Sequence, residues 1–137
     1  MVAPIQDEHI KQLLLSARTI GVVGLSPKES RPSNRVGRYL QDVGYRIIPV
    51  NPGPKQIFSI TCYADLLAVP DKIDIVTIFR SPEAVPPIVE QAIDAHVAVV
   101  WMQLGIINEK AAQRAREAGL VCVMDRCIKI EHARLVA

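Results

Sequence analysis

Thr19-Ile-Gly-Val-Val-Gly24-Leu-Ser-Pro-Lys28-Glu-Ser-Arg31-Pro-Ser33-Asn-Arg35-Val-Gly37 is the stretch that decides the fold. Ile20 to Val23 reads as a short strand, apolar throughout, as a strand covered on both faces should be. Gly24 breaks the strand, and a polar, basic loop follows. From Ser33 the chain reads as a helix, because Val36, Tyr39, Leu40 and Val43 recur at helical spacing and Gly44 stops the run. A strand, a glycine turn and a helix N-terminus in succession point backbone N–H groups and the positive end of a helix dipole at one spot. That spot favours an anion such as phosphate.

The same alternation extends in both directions. Residues 5–17 form an amphipathic helix pattern, with Ile10, Leu13, Leu14 and Ala17 on one face and Asp7 and Glu8 in the first turn. Residues 45–50 read as the second strand, with Pro49 placed at its end because proline cannot donate to a ladder. Asn51-Pro-Gly-Pro54 is a turn cluster. Residues 57–63 are expected to hold a short third strand and residues 64–67 a short helix. Residues 73–79 are rich in β-branched side chains and read as a strand. Ser81-Pro82 opens a capped turn, and the regular helix is expected from Pro86-Pro87 onward, with Ile88, Val89, Ala92 and Ile93 inward. Residues 97–102 are a buried strand. Asn108 caps a helix ending at Gly119, with Ala111, Ala115 and Ala118 inward. Residues 120–124 form the last strand and residues 128–135 the last helix. Strands alternating with helices predict an α/β protein: a single Rossmann-like domain over residues 1–137, with a doubly wound, mostly parallel five- or six-stranded sheet. Ligands are expected at the carboxyl ends of its strands.

Composition narrows the class. The chain has 137 residues, half of them apolar, which suits one globular domain with one sizeable core. The net charge of +2 is too small to imply nucleic acid, and the few aromatic residues make no stacking platform. No apolar run approaches the roughly 20 residues of a membrane span. The N-terminus does not read as a signal peptide, and the expected location is the cytoplasm. Cys62, Cys122 and Cys127 are odd in number and lack a Cys-x-x-Cys spacing, so they indicate neither a disulfide framework nor a zinc site. His9 and His96 have no metal partner at ligand spacing. No nucleophile–base pair can be assigned from spacing.

The loop's chemistry discriminates among phosphate ligands. A dinucleotide fingerprint needs G-x-G-x-x-G and an acidic residue about 20 positions on. Here Gly21 and Gly24 are separated by two residues, and the second strand ends in Val50-Asn51-Pro52 with no carboxylate. Both departures count against NAD. A Walker-type Gly-Lys-Ser/Thr is absent, which counts against a P-loop NTPase. The loop carries Lys28, Arg31 and Arg35, with Arg38 one turn further, and Lys55 follows the second strand. That cationic density suits a ligand with a phosphate monoester beyond a diphosphate, as in coenzyme A or NADP. The same residues would also serve as a solvated loop and helix face.

Several segments together carry a resemblance. They are Val22 to Lys28, Arg31-Pro-Ser33, Val36 to Leu40, Gly44 to Pro52, Phe79 to Val85, Trp101 to Gly105, Met124 to Cys127, and Lys129-Ile-Glu-His132. In this order and spacing the chain resembles the small stand-alone coenzyme A-binding proteins, whose domain is similar to the N-terminal domain of the succinyl-CoA synthetase α subunit. The resemblance implies roles by position. Gly24, Leu25, Ser26, Ser33 and Asn34 would hold the diphosphate, with Lys28, Arg31 and Arg35 as cationic neighbours. Asn51, Pro52 and Lys55 would lie at the adenosine and 3′-phosphate. Phe79, Arg80 and Ser81 would border the adenine or ribose. Gln103 and Leu104 would line the pantetheine path, with Cys127 near the thiol. The synthetase's phosphorylated histidine belongs to a second domain and matches no position here, so ligase chemistry is not implied.

The resulting expectation is binding of coenzyme A, free or acylated, without catalytic apparatus. No nucleic acid or membrane partner is expected, and a homo-oligomer or an acyl-CoA enzyme as partner is left open. The rivals are an NAD(P)H-reading redox sensor of Rossmann type and an accessory half of an acyl-CoA ligase. Cys127, flanked by Arg126 and Lys129, reads either as an inert thiol or as one able to form a mixed disulfide with coenzyme A. Cys122 reads as core and Trp101 as packing beside the ligand path. His132, with Glu131 and Asp125 nearby in sequence, is expected to cap a helix or join a surface salt bridge rather than do acid–base work.

Overall fold

The computed structural model describes residues 5–137; the first four residues of the expected domain lie outside it. Five strands form one parallel sheet: β1 (Thr19–Val23), β2 (Arg46–Val50), β5 (Ile75–Ile78), β6 (Val99–Met102) and β7 (Val121–Val123), in the spatial order β2-β1-β5-β6-β7. Their burial is nearly continuous, which explains why they read as apolar runs rather than alternations. Helices α1 (Asp7–Ser16), α2 (Pro32–Asp42) and α5 (Ile128–Leu135) pack on one face. There Ile10, Leu14, Leu40 and Ile128 meet Ile20, Val22, Ile75 and Trp101. Helices α3 (Val85–Asp94) and α4 (Glu109–Glu117) cover the other face, with Val89, Ala112 and Ala115 against Val76, Ile78 and Val100. From β1 the chain moves outward to β2 and then back past β1 to β5. The strand order therefore reverses between β1 and β5, the switch point at which such sheets open a crevice.

The local choices have identifiable causes. Pro49 pairs in register with Val22, one residue before the end of β2. It is tolerated because β2 is an edge strand and Pro49 turns its backbone outward, where its carbonyl accepts from Tyr63 N at 3.0 Å. The expected third strand is not part of the sheet. Residues 56–61 form instead a small antiparallel hairpin, β3 (Gln56–Ile57) with β4 (Ile60–Thr61), linked to the sheet by a single bridge between Val50 and Tyr63. The expected short helix is a 3-10 turn at Leu66–Ala68. A second 3-10 turn, Pro82–Ala84, leads straight into α3, which begins at Val85, one residue before Pro86. Both prolines then sit in the first turn, where no intrahelical partner for an N–H is needed. Asn108 caps α4 as expected, its Oδ1 accepting from Ala111 N at 3.0 Å. Among the described residues, no helix is long and apolar enough to cross a membrane.

Candidate functional site

A cleft of about 750 Å³ opens at the carboxyl ends of β1, β5 and β6. Gly24 sits at its base with φ +86°, and its N–H donates to Val50 O at 2.8 Å, which draws the β1–α2 loop over the end of β2. A Cβ at this position would stand 2.5 Å from the Phe79 carbonyl oxygen, so only glycine lets the loop lie against the end of β5. The loop is braced from within. Ser33 Oγ accepts from Ser26 N at 3.0 Å, Ser26 Oγ accepts from Lys28 N at 3.1 Å, and Asn34 Nδ2 donates to Ser26 O at 2.8 Å. Asn51 Nδ2 donates to Leu25 O at 2.8 Å and ties the same loop to the residue after β2.

These bonds sort the sequence-predicted residues. Gly24, Ser26, Lys28, Arg31, Ser33, Asn51, Phe79, Arg80, Ser81, Gln103, Leu104 and Cys127 are brought together on the cleft wall. Leu25 and Asn34 are buried and take part in the loop's internal bonding instead. Arg35 is exposed, with Nη1 donating back to Ser30 O at 3.3 Å. Pro52 lines a smaller pocket of about 250 Å³ that shares Gly24 and Arg80 with the cleft. Lys55 is exposed and lines neither cavity. The helix begins at Pro32 with Arg31 in the cap position and no side-chain cap, so Ser33 braces the loop rather than starting the helix. Sequence reasoning missed Pro32, Val36, Ile106 and Ile130, which also line the cleft. The apolar periodicity had marked Val36, but only as core.

The electrostatics are one-sided. Lys28, Arg31 and Arg80 line the cleft and, among the described residues, form no ion pair. Arg38 is already committed: it pairs with Glu29 at 2.9 Å, donates to Asn34 Oδ1 at 3.0 Å and stacks over the Phe58 ring. The first-turn amides of α2 add the positive end of its dipole beside those cations. At the opposite end, Cys127 holds the cap position of α5, and buried Gln103 accepts from Ile128 N through Oε1 at 3.2 Å. Two helix N-termini thus border one crevice.

Other candidate groups fall outside the cleft. Trp101 is fully buried and donates through Nε1 to Arg126 O at 2.8 Å. Burial pushes the Cys122 thiol up to about 11 and raises Cys62 as well. His132 corrects the expectation of a surface role. It is buried where α5 meets α2, its Nδ1 lies 2.8 Å from Tyr39 Oη, and Tyr45 packs edge-on against its ring. Burial lowers its pKa from the ordinary 6.5. Its neighbour Glu131 is the one that joins salt bridges, with Arg134 and with Arg126 at 3.5 Å.

The parallel sheet, its covering helices and the basic crevice at the switch point define a single Rossmann-like domain. The chain belongs to the coenzyme A-binding domain family, whose model matches residues 18–133. It is 40% identical over 125 residues to the uncharacterized protein YneT of Bacillus subtilis, covering 91% of this chain and 93% of that one. A solved structure of a hypothetical protein from Pyrococcus horikoshii superposes with a TM-score of 0.95 at 39% identity, covering 100% of this chain and 99% of the other. The chain is also 31% identical over 74 residues to the ADP-forming acetate–CoA ligase of Methanocaldococcus jannaschii; the match takes in 54% of this chain and 10% of the ligase.

Proposed function

We propose that this protein binds coenzyme A, free or acylated, in the cleft at the β1/β5 switch point, and that it does so without catalysing a reaction. The observation that carries the reading is the joining, in one 750 Å³ crevice, of the Gly24–Ser26 loop, three unpaired cations and the Gln103–Cys127 wall, within a domain of this family. Coenzyme A has a highly anionic adenosine end and a long thiol-tipped arm. Lys28, Arg31, Arg80 and the α2 N-terminus supply charge for the phosphates. Phe79 and Asn51 would flank the nucleoside, and Gln103 and Leu104 the arm. The ligand's own chemistry is a thiol or a thioester, and the side chains named here bind and orient it.

The NAD(P)H reading is disfavoured by Asn51. It stands where a ribose-binding carboxylate would be expected, and its amide is already bonded to Leu25 O. We place the protein in the cytoplasm, as a carrier, sensor or protector of coenzyme A for an enzyme that makes or uses acyl-CoA. Titration calorimetry with coenzyme A, desulfo-coenzyme A, NADH and NADPH tests this. The expected result is saturable binding of the first two. Binding of NADH without coenzyme A overturns the reading, and acyl-CoA turnover by the pure protein overturns its non-catalytic part.

A further inference from the structure

A second cavity, of about 380 Å³, lies beyond the Cys127 end of the cleft, and the two share Leu104, Cys127 and Ile130 as a common wall. Its remaining apolar surface comes from Ile5, Val123 and Met124. Leu104 is 65% exposed and Ile130 53% exposed, two large aliphatic side chains facing water at the mouth of a ligand crevice. The charged groups around the cavity are mostly engaged within the protein. Arg126 pairs with Glu131 at 3.5 Å, Asp125 Oδ1 accepts from Gly105 N at 2.7 Å, and Arg116 Nη2 donates to Cys122 O at 2.8 Å. Slightly more of the lining is apolar than polar, in a volume within the range of small-molecule sites.

We infer that this second cavity is the acyl site: it takes the aliphatic chain of an acyl-CoA whose coenzyme A part lies in the main cleft. The inference rests on the coenzyme A reading, because that reading brings the thioester to the Leu104–Cys127–Ile130 wall. Two of that wall's three side chains, Leu104 and Ile130, are exposed, so an acyl chain passing over them would enter the second cavity. It follows that the preferred ligand is an acyl thioester rather than the free thiol, and that discrimination among acyl groups is by apolar length. The rival ligand is an acyl group with a terminal carboxylate, since Arg116 Nη1 is buried and has no hydrogen-bond partner among the described residues.

The test is calorimetric titration of the full chain with coenzyme A, acetyl-, butyryl-, hexanoyl- and succinyl-CoA. Each methylene fully buried raises affinity about fourfold, so hexanoyl-CoA is expected to bind at least tenfold more tightly than acetyl-CoA. The readout is the acetyl-to-hexanoyl ratio of Kd, which cancels whatever happens to the coenzyme A part. Leu104→Asn and Ile130→Asn, both at exposed positions, should each reduce that ratio toward one. A ratio near one in the unaltered protein overturns the acyl site while leaving coenzyme A binding intact. So does a ratio unmoved by either substitution, or tighter binding of succinyl- than of butyryl-CoA. Failure of coenzyme A and every thioester to bind ends the coenzyme A reading and the acyl site together.

Discussion

Replacing Gly24 with alanine tests how the cleft is built, and a second glycine provides the control. Gly24 and Gly119 have similar dihedral angles, φ +86° and φ +90°. An alanine at either site must adopt a left-handed conformation that costs an L-residue about 1–2 kcal/mol. Around Gly119 a new Cβ meets nothing within 4 Å, so Gly119→Ala should lose about that much and no more. At Gly24 the Cβ would stand 2.5 Å from Phe79 O and 3.1 Å from its carbonyl carbon, both backbone atoms that cannot swing aside. The loop must lift instead. Overpacking of this kind adds about 1–3 kcal/mol, and loss of the Gly24 N to Val50 O bond adds about 1 kcal/mol. Gly24→Ala should therefore be destabilised by about 3–6 kcal/mol, a large share of the roughly 5–15 kcal/mol available to such a domain. In urea, with a slope of about 2 kcal/mol/M, the midpoint should fall by roughly 2 M for Gly24→Ala and by under about 1 M for Gly119→Ala. Because the lifted loop carries Ser26 and Lys28 away from Phe79 and Arg80, coenzyme A affinity should also drop at least tenfold in the first variant and stay unchanged in the second. Equal midpoint shifts for the two variants would refute the contact between the loop and the end of β5.

Three further expectations follow from groups elsewhere in the chain. Thr77, in the central strand and paired with Val22 and Trp101, has a buried Oγ1 with no hydrogen-bond partner among the described residues. Thr77→Val should therefore stabilise the fold by about 1 kcal/mol, seen as a rise of roughly 3–5 °C in Tm by calorimetry; a fall would mean the hydroxyl is bonded. His132 titrates below its ordinary 6.5 because it is buried. The unfolded chain takes up that proton first, so the stabilisation is complete above pH 6.5 and is lost as pH falls through the lower folded value. Urea midpoints measured from pH 7.5 to 5 should decline in the parent and decline less in His132→Gln, and parallel curves would refute the assignment. Cys127 faces the cleft, so coenzyme A disulfide should exchange with it: the Cys127 thiolate attacks one sulfur, the S–S bond breaks, and one coenzyme A leaves as thiolate. Intact-mass spectra should show one added coenzyme A in the parent and in Cys122→Ser. Its persistence in Cys127→Ser would place the reactive thiol elsewhere.

The parts of this protein legible in its sequence are those whose cause is local. The last helix is expected over residues 128–135 and runs Ile128–Leu135. The strands of the main sheet were readable because burial on both faces demands unbroken apolar runs. The hairpin at residues 56–61 was not, and the reason is in its turn. Phe58 and Ser59 have φ of 57° and 60°, a conformation usually announced by asparagine or glycine, and neither residue type stands there. Tertiary packing holds it: the Phe58 ring lies where a side chain on Gly37 would be, 3.1 Å from such a Cβ, with Arg38 over its face. The same distinction runs through the site. The glycine turn and the loop cations Lys28 and Arg31 could be found from the chain alone, since they lie within a few residues of one another, whereas Arg80 is brought to them by the end of β5. The role of Asn34 could not, because a buried asparagine bracing a loop and an exposed one awaiting phosphate have the same spelling. Nor could the place of Ile130: exposed helix positions carry isolated aliphatic residues in most proteins, and this one acquires meaning only from Leu104, brought beside it and its own helix cap Cys127 by the end of β6.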